Sequence, residues 1–346
     1  MNANAHLNFD LEENLKTEFE NTFRKSVIIC PSDQLEEILK GRRIIFDSIE
    51  RFTVPIRTNG SFDQSCKMTP MVIHPSEKVT PVSSIDSSVI HLARTEEGRL
   101  YAAKSGVVIS SGRRIRRHFR LGPVLIYLTK GFLCNSKIDH ILGNLLLVDN
   151  SIAKRLIRIR LERAIQLVLS SHLNSSIILI DGTLRPSVFE DYNCTINRVI
   201  EMSTLSNNDV IGLSKSTSMT ILNQFENLLK ALPYSACIDT GCMIKSLARN
   251  TLGNNLLVKL GKNENEYVLR ADICSANGND LECLERLIGN DILFRSYPES
   301  LRIAHHISTF TTTEVSLLKG FISRSYGAEV GDQTAARKSI LGVSFV

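Results

Sequence analysis

The chain has 346 residues, enough for one large domain or two ordinary ones with a sizeable core. Hydrophobic residues make up 43% and charged residues 22%, an ordinary globular balance, and no run of about 18 uncharged apolar residues is present to span a membrane. The net charge of +5 decides little by itself, but its distribution is uneven. Between Gly98 and Asp139 there is no acidic residue, while Arg113, Arg114, Arg116, Arg117 and Arg120 cluster there. A one-sign stretch of this kind points to an anionic partner, nucleic acid first.

In chain order, residues 1–25 read as a helix with Leu7, Phe9, Leu11, Leu15 and Phe19 as its apolar positions. Met1 to Glu20 is acidic and lacks the regions of a signal peptide, so the expected location is cytoplasmic. Ser26–Cys30 is a short apolar run, and Val54–Ser84, rich in Pro, Ser, Thr and Asn, reads as loops. Three strands are expected over Ser84–Ile90, Leu100–Ser110 and Arg114–Leu128. Ser151–His172 is a strong helix, with Leu161, Ala164, Ile165, Val168 and Leu169 at helical spacing.

Ser176–Ile180 is a buried strand stopping at Asp181-Gly182, and Val210–Leu213 is another stopping before Ser214-Lys215. Met219–Leu232 reads as a helix ended by Pro233. Thr311 to Glu314 has the pattern of a capping box opening a helix through Ile322, and the tail after Arg324 is rich in Gly, Ala and Ser. The order describes an α/β fold with a mixed sheet flanked by helices. The expected organisation is an N-terminal helix and irregular segment over 1–80, a core domain over 81–325 and a tail over 326–346. Cys30, Cys66, Cys134, Cys194, Cys237, Cys242, Cys274 and Cys283 form no C-x-x-C pair, and read as buried reduced thiols rather than a zinc site or a disulfide framework.

Asp86 and Asp181 are placed where strand ends can aim them, and Glu162 lies at the edge of a helix's apolar stripe. Phosphodiester cleavage needs an activated water and stabilisation of a negatively charged transition state, which two divalent cations about 4 Å apart can supply. Hard cations such as Mg²⁺ or Mn²⁺ take oxygen ligands, so Asp and Glu are their natural cage. Each acid also has a plainer reading: Asp86 and Asp181-Gly182 as turn residues, Glu162 as a solvated partner of Arg158. Spacing alone does not show that they converge. The doublet His305-His306, in Tyr297-Pro298-Glu299-Ser300-Leu301-Arg302-Ile303-Ala304, is suited to metal ligation, phosphate donation or proton transfer, or to a satisfied structural role.

Four strings carry a resemblance to a known family. Ile178-Leu179-Ile180-Asp181-Gly182-Thr183-Leu184 resembles the apolar strand and Asp-Gly-Ser-Leu of NurA nucleases, with Thr183 in place of Ser. Tyr297 through Pro298 and Leu301 to Ala304-His305 resembles the family's C-terminal signature. Ile85-Asp86-Ser87-Ser88, with Gly98 and Tyr101–Val108, resembles its first acidic strand and hairpin, although Ser87 stands where Gly is usual. Val210–Lys215 resembles the segment that brings a lysine near the site. The resemblance runs from about Ser84 to Ile322.

It implies a ribonuclease-H-like (Piwi-like) core, a homodimer, and a DNA nuclease that uses Mn²⁺ or Mg²⁺, with two ions expected. It also implies 5'-3' exonuclease or single-strand endonuclease action in DNA end resection beside a HerA-type hexameric ATPase. By position Asp86, Glu162 and Asp181 would be metal ligands, His305 a metal-side or proton-transferring histidine, and Tyr297 a supporting catalytic residue. Lys215 would neutralise a phosphate, and Arg113, Arg114, Arg116 and Arg117 would hold DNA phosphates or else form a solvated hairpin tip. The alternative from another class is a non-catalytic module that binds DNA ends or the ATPase. A thiol hydrolase using Cys237 or Cys242 lacks a partner motif.

Overall fold

The computed structural model describes residues 3–25, 43–45, 69–129, 140–215, 222–247, 250–325 and 329–331. Helix α1 (Ala3–Lys25) buries Leu11, Leu15 and Phe19, spaced four apart on one face. Strands β1 (Arg43–Ile45) and β2 (Met71–Val72) are short. Then β3 (Val82–Arg94), β4 (Gly98–Ser110) and β5 (Ile115–Thr129) form a long antiparallel meander. All three exceed or match their sequence expectation. Ser26–Cys30 and residues 51–68 lie outside the described residues, as do Cys30, Cys66 and Cys134.

Helix α2 (His140–Val148) leads into α3 (Asn150–His172). The N-cap of α3 is Asp149, whose carboxylate accepts from the Ser151 amide at 2.7 Å. Strand β6 (Ile177–Asp181), helix α4 (Ile196–Leu205) and strand β7 (Asp209–Ser214) follow. They make a β-α-β crossover, with β6 and β7 parallel from Ile177↔Asp209 to Asp181↔Leu213. Next come α5 (Asn223–Lys230), β8 (Ala236–Asp239), α6 (Gly241–Leu247), β9 (Asn254–Lys259), β10 (Leu269–Cys274) and α7 (Asp280–Asn290). The chain continues through the two-residue-turn hairpin β11 (Leu293–Phe294) and β12 (Tyr297–Pro298) into α8 (Glu299–Ser308). Helix α9 (Thr312–Ser325) and strand β13 (Glu329–Gly331) end the described chain.

The main sheet runs β13-β1-β3-β6-β7-β10-β9-β8-β2, with β4 and β5 branching from β3. It is the mixed sheet flanked by helices that the sequence predicts. Side chains on β6 alternate between two cores, as strand geometry requires. Ile178 joins Ile85 and the α3 residues Leu161 and Ile165 on one face, while Ile177 and Leu179 join Leu284, Leu287 and Leu301 on the other. No helix among the described residues is long and apolar enough to cross a membrane.

The helix expected over Met219–Leu232 is described only as Asn223–Lys230, since residues 216–221 lie outside the description. The expectation that the cysteines are buried needs correction: Cys237 and Cys283 are buried, Cys194 and Cys274 half-buried, and Cys242 exposed at the start of α6. None of the five is in a disulfide, and burial pushes Cys194 and Cys274 up to about 11 and Cys237 up to about 12.

Strands β8, β9 and β10 are unforeseen because polar residues interrupt their patterns. Asp272 on β10 is fully buried. It accepts from Arg270 Nε at 2.9 Å, Asn255 Nδ2 at 2.7 Å and the Leu184 amide at 3.0 Å. Burial raises its carboxyl above the usual range, against the pull of Arg270. The Leu184 contact fixes the loop that follows Asp181.

Candidate active site

Two aspartates stand side by side where the parallel pairing of β3 and β6 ends; Asp181 closes β6 as expected, but Asp86 lies inside β3 and not at a strand end. Strands β3 and β6 are in register through Ile85↔Ile180, so Asp86 and Asp181 are the next residues along each. Both point to the face covered by α8, because Ile85 faces the α3 core and Asp181 shares the side of Ile177 and Leu179. Beyond Ile85 the β6-side edge of β3 is unpaired among the described residues until Arg94 meets β1, which leaves an opening at Asp86.

Helix α8 reaches Asp86 because the strand beneath it carries glycine. Gly106 on β4 is level with Asp86, and a Cβ there would lie 2.5 Å from the Ala304 carbonyl oxygen. That close approach sets His305 over β3. Its Nδ1 is 2.7 Å from Asp86 Oδ2, and Ser308 Oγ donates to the same oxygen at 3.0 Å. Against an ionised carboxylate Nδ1 donates, which leaves Nε2 as the ring's free nitrogen. The imidazole is 62% exposed, so that nitrogen is accessible. His306, one residue on, is also exposed but turned roughly 100° around the helix, and no hydrogen bond or ion pair ties it to the acids.

Around Asp181 the arrangement is different. Lys215, just past the end of β7, places Nζ 3.0 Å from Asp181 Oδ2 and 4.8 Å from the centre of the Tyr297 ring. The Tyr297 side chain is thereby placed on the Asp181 side of the site. Burial, and then the charge of Asp181, push the phenol well above its ordinary range, so Tyr297 acts as a neutral donor and not as a base. A flat turn serves the same corner: Gly182 takes φ +121, and a Cβ on Gly212 would lie 2.6 Å from its carbonyl oxygen.

Glu162 comes from the opposite face on α3. Its side chain is 15% exposed, and Arg158 Nε lies 3.8 Å away. Burial raises its carboxyl to about 7; the charges of Asp86 and Asp181 add to the rise, and Arg158 and Arg163 oppose it. Glu162 thus senses both aspartates across the strand ends. Among the described residues no three His, Cys, Asp or Glu side chains stand close enough to form a ready metal cage. The reason is visible: His305 and Lys215 hold the aspartates on one face, and Glu162 approaches from the other. The donor set of three carboxylates and one imidazole nevertheless suits Mg²⁺ or Mn²⁺, and mutual repulsion among the acids is relieved by a divalent cation.

The structure brings Asp86, Asp181, Lys215, Tyr297 and His305 together on one face, with Glu162 across the strands from them. It does not gather the arginine run there. Arg113 and Arg114 lie at the β4–β5 turn, and Arg117 is level with Ile109 and Ser83. Ser83 is about 10 Å along β3 from Asp86, at roughly 3.3 Å per residue. Arg113 donates to the Ile288 carbonyl at 3.2 Å and Arg116 to the Ser111 carbonyl at 3.2 Å, while Arg114 is exposed and Arg117 half-buried. Arg120 is level with Asp86 but pairs with Glu314. Ser308 and Gly106 were missed by sequence reasoning; the only signal for Ser308 was its place one helical turn after His305.

No curated protein matches the sequence. Solved structures that are similar include the NurA nuclease from Sulfolobus solfataricus, at 15% identity and a TM-score of 0.45, over 74% of this chain and 87% of that one. The Endonuclease V of Ciona intestinalis, in complex with a 24mer DNA containing an inosine followed by a ribo-adenosine, is 17% identical over 71% of this chain and 92% of its own, with a TM-score of 0.38. The catalytic domain of human Endonuclease V is 13% identical over 75% of this chain and 92% of its own, with a TM-score of 0.34. The family model of the NurA domain matches residues 81–309, the span from the first buried aspartate strand to the end of the histidine helix. With well over half its length matched, and all six side chains of the candidate site inside the match, the chain belongs to the NurA family.

Proposed function

We propose that the chain is a divalent-metal-dependent DNA nuclease that hydrolyses phosphodiester bonds where Asp86 of β3 meets the ends of β6 and β7. The observation that carries this reading is the pair Asp86 and Asp181, side by side on neighbouring parallel strands, with His305 against one and Lys215 against the other. Family membership and the similarity to a NurA nuclease support it. Asp86, Asp181 and Glu162 would hold Mn²⁺ or Mg²⁺, two ions in all, and the bound metal would supply Lewis acidity and an activated water. The chain's own residues do the rest. Asp86 and Ser308 orient His305 so that Nε2 can accept or return a proton at the scissile phosphate. Lys215 offers its ammonium to the phosphate, and the Tyr297 ring packs against that ammonium.

The finer reading is a 5'-3' exonuclease or single-strand endonuclease in DNA end resection, acting as a cytoplasmic homodimer with a HerA-type ATPase. The phosphate-holding role falls best to Arg114 and Arg117, whose guanidinium groups are not committed to main-chain carbonyls as those of Arg113 and Arg116 are.

The test is cleavage of end-labelled DNA with Mn²⁺ and with EDTA. Cleavage by the wild-type protein in Mn²⁺ alone is expected. DNA binding without cleavage in any divalent cation would leave the non-catalytic module instead. In the same assay His305→Ala should lose about 10²-fold in rate, the lower range for a general acid–base group. His306→Ala should stay near wild type, and the opposite ranking would reverse the assignment.

A further inference from the structure

Next to the proposed active site the hairpin β11–β12 presents an exposed aromatic ring on an immobilised turn. Phe294 is 52% exposed. It is the cross-strand partner of Tyr297, so the two side chains leave the same side of the hairpin with Cβ atoms about 5 Å apart. The Tyr297 ring lies 4.8 Å from the Lys215 Nζ that pairs with Asp181, which puts Phe294 on the side of the acids. Arg302 sets its guanidinium carbon 4.3 Å from the ring centre, and Arg295 at 5.9 Å. Arg302 lies one helical turn before His305 on α8, so Phe294, Arg302 and His305 form a line that ends at Asp86.

The turn itself is strained and held. Arg295 and Ser296 take φ 51 and 68, the mirror-image turn that glycine and asparagine usually occupy. Ser296 is fully buried; its hydroxyl donates to Glu266 Oε2 at 2.8 Å and accepts from the Gly261 amide at 2.9 Å. Strain of this kind persists only where the surroundings over-determine it, and it recurs where a side chain must be presented in one place. Burial of Phe294 does not explain it, because half the ring is open to solvent.

We propose that Phe294, flanked by Arg295 and Arg302, is a stacking site for one base of the single DNA strand being cut, about a nucleotide away from the scissile phosphate. The inference rests on the nuclease reading above. An aromatic face takes any base, and adjacent guanidinium groups add attraction for both the base and its phosphate. The site therefore fixes the strand's path without selecting sequence.

The chain contains no Trp, so Phe294→Trp carries a single reporter. In EDTA, where cleavage is not required, its emission should be quenched by an oligothymidine strand and unchanged by a strand of the same length without bases. Phe294→Ala should raise the Kd for the oligothymidine strand about 5- to 150-fold, the range for losing one stacked base, and leave the Kd for the base-free strand alone. Thermal melts establish that both variants fold. If the wild-type protein binds and cleaves DNA while Phe294→Ala binds as tightly and the tryptophan is not quenched, the stacking site is overturned and the nuclease reading stands. If the wild-type protein neither binds nor cleaves, both fall.

Discussion

Asp181→Asn is expected to lower Mn²⁺-dependent DNA cleavage by on the order of 10³-fold or more while leaving the melting temperature almost unchanged, since a metal's transition-state stabilisation is worth several kcal/mol. Asparagine keeps the shape of the side chain. What it removes is the charge that stands beside Asp86 at the end of β6 and that now draws Lys215 to 3.0 Å. The carboxylate is 27% exposed, and its lysine partner 53%, so the ion pair itself contributes little to stability. Single-turnover cleavage of a labelled strand, with a thermal melt as control, separates chemistry from folding. Activity within about tenfold of wild type would remove Asp181 from the metal site.

Glu314→Gln is expected to act on stability, at a place the proposed chemistry does not touch. Lys104 on β4 is buried, with Nζ 3.2 Å from both Glu314 oxygens, 2.8 Å from the Thr309 carbonyl and 4.9 Å from the Phe310 ring centre. Arg120 pairs with the same carboxylate. Glu314 also closes the capping box of α9, accepting from the Thr311 amide at 2.8 Å while its own amide donates to Thr311 Oγ1 at 3.2 Å.

Glutamine leaves the Lys104 ammonium buried without a counter-charge. The loss should be about 3 kcal/mol at pH 7, the lower end for breaking a buried pair because Glu314 is partly exposed. The Thr311 amide, and then Lys104, hold the Glu314 carboxyl down to about 2 against an ordinary 4.5. A folded-state value below the unfolded one means stability that is complete above about 4.5 and lost as pH falls toward about 2. Urea unfolding of both proteins should therefore show a gap that is constant from pH 5 to 7 and shrinks below pH 4.5. A gap that stays constant through pH 3 would mean the charge of Glu314 is not what α9 depends on.

What the sequence makes legible follows from local rules. Helix α3 announces itself by its apolar period, β6 and β7 by runs that stop at Asp181 and before Lys215, and α9 by Thr311 and Glu314. Asp86, Asp181 and His305 stand out because a charge in or at the end of a strand, or an imidazole beside alanine, needs a partner. What is not legible depends on distant partners. Strands β9 and β10 carry Asn255, Lys259, Arg270 and Asp272 in a buried layer, where Asn255, Lys259 and Asp272 reach another strand or loop and Arg270 pairs with Asp272 on its own strand. Local patterning reads such residues as exposed.

The arginine run is legible as a basic window, but its placement is not. Composition gives a basic window, but the β4–β5 hairpin turns it, so that Arg113 and Arg120 stand at different levels of the sheet. Gly106 and Ser308 matter only because α8 crosses β4 at that point, which no local pattern contains.

The most direct measurement is anomalous diffraction from crystals of the protein grown with Mn²⁺. The expected result is manganese peaks with carboxylate oxygens of Asp86, Asp181 and Glu162 at roughly 2.0–2.6 Å and, for a pair, about 4 Å between ions. Lys215 should then have left Asp181. Crystals saturated with Mn²⁺ that show no peak at these three carboxylates, or a peak held by other residues, would contradict the metal-dependent nuclease.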